Sequence, residues 1–343
     1  MLLDLSYLSY PLPPDIQRLY EAGDFARMDR VIRLRLDDPR VPEALKARLR
    51  VQTELAYEIL RAYPYTQAQM LEILQSHVKD FEEEELETLR DDGTLDWRYV
   101  NGEVRFKDNA LSGLLKTRAE YAARATDPEV KNGAKESARQ LHEIIAKMKA
   151  NGGVHARFEL HEQLTIRSDR LTPGETLRVH LPMPIVGAQV KSAALLGASH
   201  PVAFLAPEDE PQRTIYFELP YQPGMTVSAD VAYEIDAPYQ QPHARDVYAE
   251  QPVFDTEEQP PHVVFTPYLR ALAKEIVGDE TNALLKARKI YDFITTQAVY
   301  RFMPPYLTVT NIPEYFLSGL RGDCGVQAIT FVTLCRLCGV PAQ

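Results

Sequence analysis

The stretch SGLRGDCGVQAITFVTLCRLCGVPAQ, residues 318–343, holds all three cysteines of the chain. Cys324 sits in a Gly-Asp-Cys-Gly turn. Gly322 and Gly325 bracket it, so the backbone there can turn sharply and come close to another group. Asp323 is suited to cap a helix that begins at Cys324. Cys324, Ala328, Phe331, Cys335 and Cys338, with Leu334 and Leu337 beside them, follow helical spacing. They predict an amphipathic helix that stops at Gly339, with Pro341 just beyond. A thiol in the first turn of a helix meets the positive end of the dipole and free backbone N–H groups. Both favour thiolate over thiol. Thiolate is the nucleophile of cysteine acyl transfer, and the N–H of Cys324 is placed to donate to an oxyanion. The rival reading is a small buried core cysteine, the commoner fate of such a residue inside a cell. The Gly-Asp-Cys-Gly context at a helix entrance is what favours chemistry.

Other candidates are weaker. Cys335-x-x-Cys338 has metal or redox spacing, but no second pair or nearby His completes a zinc set, and both positions fall on one helical face. Phe81–Glu87, FEEEELE, reads as a solvated helical face, since it lacks the glycine and alternating carboxylates of a calcium loop. His155 and His161 alternate with Phe158 and Leu160, as on a polar sheet face, and His142 lies on a helix beside Glu143. The chain has no glycine-rich phosphate loop. No cofactor and no metal is expected.

The chain has 343 residues and a net charge of -11. That charge argues against nucleic acid, which needs a basic face, and weakly against an anionic membrane surface. No stretch approaches the ~18 consecutive apolar residues of a spanning helix. The N-terminus, MLLDLSYLSYPLPPDI, carries Asp4 and no basic segment, unlike a signal peptide. Three clustered cysteines are no disulfide framework, so a reducing, cytoplasmic setting is the default.

The elements that must position Cys324 follow from periodicity. Residues 1–152 read as a helical domain. Leu19, Phe25, Met28, Ile32 and Leu36 lie close to one helical face, and Asn101-Gly102 marks a small hairpin near 96–107. At Gly152-Gly153 the period changes to two, and short strands separated by turns such as Thr172-Pro173-Gly174 suggest an antiparallel β-sandwich over 153–237. Residues 238–262, rich in Pro and Gln, read as an extended linker. From 263 the helical period returns, with Thr266 as N-cap and Pro267 at the first position.

RGDCGVQAITFVTLCRLCGVPAQ resembles the nucleophile motif of the transglutaminase-like superfamily. There a cysteine enters a helix from a glycine-rich turn, and the helix closes on Arg-x-x-Gly-Ile-Pro-Ala-Arg. The closing positions here are Arg336, Gly339, Val340, Pro341, Ala342 and Gln343. NALLKARKIYDFITTQAVYRF resembles the preceding helix and its terminal aromatic, Tyr300, and the similarity runs over about 260–343. The segment 154–237, including Leu181–Ile185, resembles the sandwich that often precedes such domains in bacterial members. Residues 1–150 carry no such likeness.

The resemblance implies a papain-like Cys-His-Asp triad acting on amide bonds, by hydrolysis or by transfer to an amine. Only Cys324 is carried over. Asp323, Gly325 and Tyr300 are expected in the substrate and oxyanion neighbourhood. In the family the His and Asp follow the nucleophile helix. Here the nineteen residues after Cys324 include neither, and all eight histidines precede it. The expectation is the N-terminal portion of a longer protein, cut inside its catalytic domain and itself inactive. An apolar stripe including Phe331 and Leu334 would then be bare, to be covered by a missing C-terminal segment or a dimer partner.

The fold class expected is therefore multidomain α+β: a helical N-terminal domain, an antiparallel β-sandwich, and over 263–343 the first helices of a papain-like α+β domain. The function expected is a cysteine protease or amidase acting on a protein or peptide. The alternative is a non-catalytic binding or scaffold protein with a degenerate transglutaminase-like domain.

Overall fold

A computed structural model describes residues 4–168, 170–248 and 250–343. The fold mixes helices with small sheets. It divides into two compact units, one drawn from Met1–Ala134 together with His243–Gln343, the other Lys135–Pro242.

In the first unit the N-terminal segment is mostly helical. The apolar face from Leu19 to Leu36 is split between two helices, Pro14–Glu21 and Phe25–Asp37. Gly23 makes the break. Its φ is +70°, and a Cβ there would run into the carbonyl of Tyr99. Asp24 then caps the second helix by accepting from the Arg27 N–H. These two helices and Glu43–Ala62 bury Ile16, Met28, Ile32, Leu49 and Ile59. A second core gathers Met70, Leu74, Leu86, Phe106 and Leu114. The hairpin pairs Trp97–Val100 with Glu103–Phe106 around Asn101 and Gly102, both at positive φ, as a two-residue I′ turn requires. The acidic run falls in the first turn of the helix Glu83–Asp91, where carboxylates meet the positive helix end.

The C-terminal segment adds four helices, Pro267–Val277, Ala283–Gln297, Ile312–Gly319 and Cys324–Leu337, around Leu269, Ile290, Ile294, Phe316 and Leu334. Thr266 caps the first of these, with Pro267 at its first position. Leu334, expected on a bare stripe, is 0% exposed, and Phe331 is half-buried against the same core.

The helix Pro128–Asn151, most of which belongs to the second unit, ends at Gly152, whose φ is +74°. Two three-stranded antiparallel sheets follow. Thr226–Pro238 lies between Gly153–Thr165 and Val190–Ala198, and Thr214–Pro220 lies between Thr176–Pro182 and Phe204–Leu205. The alternation seen in the sequence turns Val179, Leu181, Phe217, Val227 and Val231 into one shared core. Among the described residues no helix is long and apolar enough to cross a membrane.

Candidate active site

Cys324 is the first residue of its helix, and its side chain is exposed. Asp323 caps that helix by accepting from the Val326 N–H at 3.1 Å. Both bracketing glycines sit in crowded surroundings. A Cβ on Gly322 would stand 2.9 Å from Phe316 Cδ2 and 3.1 Å from Val326 Cγ1, and one on Gly325 would overlap the Tyr306 hydroxyl. The preceding helix is stopped by Leu320, held in the left-handed region at φ 48°, ψ 33°. Only a structure that overdetermines this position keeps a leucine there.

Between the two helices runs a two-residue strand, Arg321–Gly322, parallel to Val299–Tyr300. Val299 N–H donates to Leu320 O at 2.9 Å, and Arg301 N–H donates to Gly322 O at 3.2 Å. Tyr300 is thereby set opposite Gly322, two residues before the thiol. The Lys116 ammonium lies 3.7 Å from the centre of the Tyr300 ring, with Phe302 edge-on beside that ring. Tyr306 completes the surroundings. Its hydroxyl donates to the same Asp323 Oδ1 that caps the helix. Burial first, then the Asp323 carboxylate and the nearby Cys324, push its ionisation well above the ordinary tyrosine range. Sequence reasoning misses Tyr306. The one trace it leaves is the absence of a side chain at 325.

Both short strands are gripped from residues 92–96 of the N-terminal segment. Arg321 Nη2 donates to Asp92 O at 2.7 Å, and Arg301 Nη1 donates to Gly93 O at 3.3 Å. Arg301 also donates to the Tyr315 hydroxyl at 2.8 Å and lies 4.0 Å from Asp96 Oδ1. Tyr63 donates to the other Asp96 oxygen at 2.9 Å. Burial raises the Asp96 ionisation in spite of Arg301 and Lys107. Residues of the N-terminal segment thus hold the turn that presents the thiol.

Residues 270–343 match the family model of the transglutaminase-like superfamily. Over these residues the chain is similar to a transglutaminase-like domain. The chain is also similar to a solved structure described as "The Crystal Structure of a Putative Cysteine Protease from Cytophaga hutchinsonii", at 15% identity over 55% of this chain and 67% of that one, with a TM-score of 0.39. No curated protein matches the chain significantly.

Within the transglutaminase-like segment the closing motif has a physical role. Arg336 Nε donates to Ala342 O at 2.7 Å and Nη1 to Glu257 O at 3.2 Å, and the guanidinium lies 3.7 Å from Asp255. It folds the helix end back on itself and ties it to Asp255 and Glu257 in the stretch read as an extended linker. The other thiols are packing groups. Cys335 is 1% exposed and burial pushes its ionisation up to about 12, while burial raises that of Cys338 as well. Among the described residues no group of three or more His, Cys, Asp or Glu could hold a metal ion.

No histidine among the described residues hydrogen-bonds Cys324. His161 does meet Asp230 at 2.7 Å, but it does so as a directly opposed pair on neighbouring strands of the other unit. His262 has a buried Nδ1 with no partner, and burial lowers its pKa. A cleft of about 850 Å³ lies within the first unit, lined by residues of both its segments. Cys324 does not line it. Pro304 and Thr308–Asn311 do, on either side of Tyr306.

Proposed function

We propose that Cys324 is the thiolate nucleophile of a cysteine hydrolase or acyltransferase acting on amide or peptide bonds, with hydrolysis favoured over cross-linking. The observation that carries this reading is an exposed thiol at the capped first turn of a helix in a transglutaminase-like segment. The thiolate adds to the substrate carbonyl, and the oxyanion accepts from the first-turn N–H groups. The C–N bond breaks as the leaving amine takes a proton from a histidinium, and water or an amine then releases the acyl group from sulfur. The family resemblance implies the His and the Asp that orients it, and assigns neither to a residue of this chain.

The test is alkylation by iodoacetamide followed by peptide mass spectrometry, on the gene product as the cell makes it. Cys324 is expected to react below pH 7 faster than free cysteine, with the signal gone in Cys324→Ala. Reaction no faster than free cysteine would favour the non-catalytic scaffold instead.

A further inference from the structure

A second cavity of the first unit, about 340 Å³, lies between the N-terminal segment and residues 261–262 and 307–310. Its volume is at the lower end of the range that holds a small ligand. Leu8, Leu12, Leu55, Leu307 and Val309 give it apolar walls. Arg48, Gln52 and His262 are among its polar lining, and among the described residues no Asp or Glu lines it. Glu21, the carboxylate bonded to the lining residue Gln17, lines the neighbouring cleft instead.

Arg48 and Gln52 lie one turn apart on the helix Glu43–Ala62 and are 6% and 1% exposed. Arg48 Nε donates to Tyr10 O at 3.0 Å, and Nη1 donates to Gln52 Oε1 at 3.1 Å. Its Nη2 makes no hydrogen bond to a described residue, and no described carboxylate pairs with it. The bond to Arg48 orients the Gln52 amide, so Nε2 is left as a donor. That donor is buried and has no partner among the described residues. His262 Nδ1 is in the same condition. Burial lowers the His262 pKa, so the ring is neutral at pH 7 and its Nδ1–H tautomer donates.

A buried guanidinium without a counter-charge and buried donors without acceptors are both costly. One planar anion removes both costs. A carboxylate accepts from the guanidinium and has lone pairs left for further N–H groups. A single arginine balances one negative charge, which suits a carboxylate better than a phosphate dianion. The apolar walls call for an apolar body behind that carboxylate. The net charge of -11 opposes an anion at long range, but salt screens it beyond about 8 Å. Within the cavity Arg48 is the one permanently charged side chain among the described lining residues.

We propose that this cavity binds a small organic monocarboxylate with an apolar body, its carboxylate on Arg48 and Gln52 with His262 as a further donor. Cys324 does not line the cavity, so the binding is independent of the reading of Cys324 as nucleophile.

The experiment is calorimetric titration of the full chain, at fixed ionic strength, with octanoate, octanamide, acetate and inorganic phosphate. Acetyl-Ala-Ala-Leu with a free carboxylate stands for a peptide end. Octanoate is expected to bind one per chain and to raise the thermal unfolding midpoint. Octanamide, alike in shape but neutral, and acetate, which lacks the body, are each expected to bind at least ten-fold more weakly. The peptide and phosphate are expected to bind more weakly than octanoate. Gln52→Glu places a carboxylate one turn from Arg48, so it is expected to abolish octanoate binding without lowering the unfolding midpoint. Arg48→Met, which keeps the bulk and drops the charge, is expected to reduce octanoate to the affinity of octanamide. The comparison of octanoate with octanamide needs no variant, so it decides even where Arg48→Met fails to fold. Equal affinity for those two, or no saturation at a Kd below about 1 mM, would overturn the proposal. So would tighter binding of phosphate or of the peptide, or an octanoate affinity unchanged in folded Gln52→Glu.

Discussion

Cys324 and Cys335 share one helix, yet one is exposed at its start and the other is 1% exposed in the core. Burial keeps Cys335 protonated up to about 12. At pH 8, limited iodoacetamide labelling of the native chain is expected to modify Cys324 first and Cys335 only after unfolding, as read by peptide mass spectrometry. The cap is testable in the same way. Asp323→Ala removes the acceptor for Val326 N–H and Tyr306, and is expected to lower stability by about 1 kcal/mol in chemical denaturation and to slow labelling of Cys324. At this scale the sequence was informative. The cysteine, its cap and its two glycines are local chemistry, and all four stand where their types and spacing put them. Tyr306 was not legible, because its bond to Asp323 spans seventeen positions and no periodicity records it.

Among elements, the longer helices and the Asn101-Gly102 hairpin were legible from period and turn chemistry. The parallel pair Val299–Tyr300 and Arg321–Gly322 was not, since two residues show no period. This pair sets the thiol, and Arg301 and Arg321 anchor it to residues 92–96. Arg321→Ala is expected to slow Cys324 labelling several-fold at a temperature where circular dichroism shows the chain still folded, with Arg321→Lys recovering part of the rate. An unchanged rate would make the grip irrelevant to the turn. Another element carries a pH signature. Arg124 hydrogen-bonds Glu85 and lowers its ionisation from the ordinary glutamate range to about 2. A depressed acid stabilises the fold at pH above its unfolded value, and that contribution fades as pH falls towards 2. Glu85→Gln is therefore expected to lose about 1–2 kcal/mol at pH 7, after allowance for partial exposure, and to match the parent near pH 2.

For the molecule as a whole, the change of period at Gly152-Gly153 was visible in the sequence, and two small sheets with one core do follow it. The association of Met1–Ala134 with His243–Gln343 was not visible, because Arg301 to Asp96 and Arg321 to Asp92 are contacts between residues more than two hundred positions apart. Long-range pairing leaves no local pattern. It does have a consequence for dissection. Residues 153–242, which own a core, are expected to melt cooperatively when expressed alone, whereas 243–343, cut from its anchors, is expected to show no cooperative transition by circular dichroism.

The most direct test is capture of the acyl-enzyme. A blocked amino-acid p-nitrophenyl ester releases phenolate without needing a proton, so sulfur can be acylated even where no histidine assists. After acid quench, mass spectrometry is expected to find one hydroxylamine-labile acyl group on Cys324, forming faster than on free cysteine and lost in Cys324→Ala. An acyl group spread over lysines and Cys338, or none at residue 324, would contradict the account.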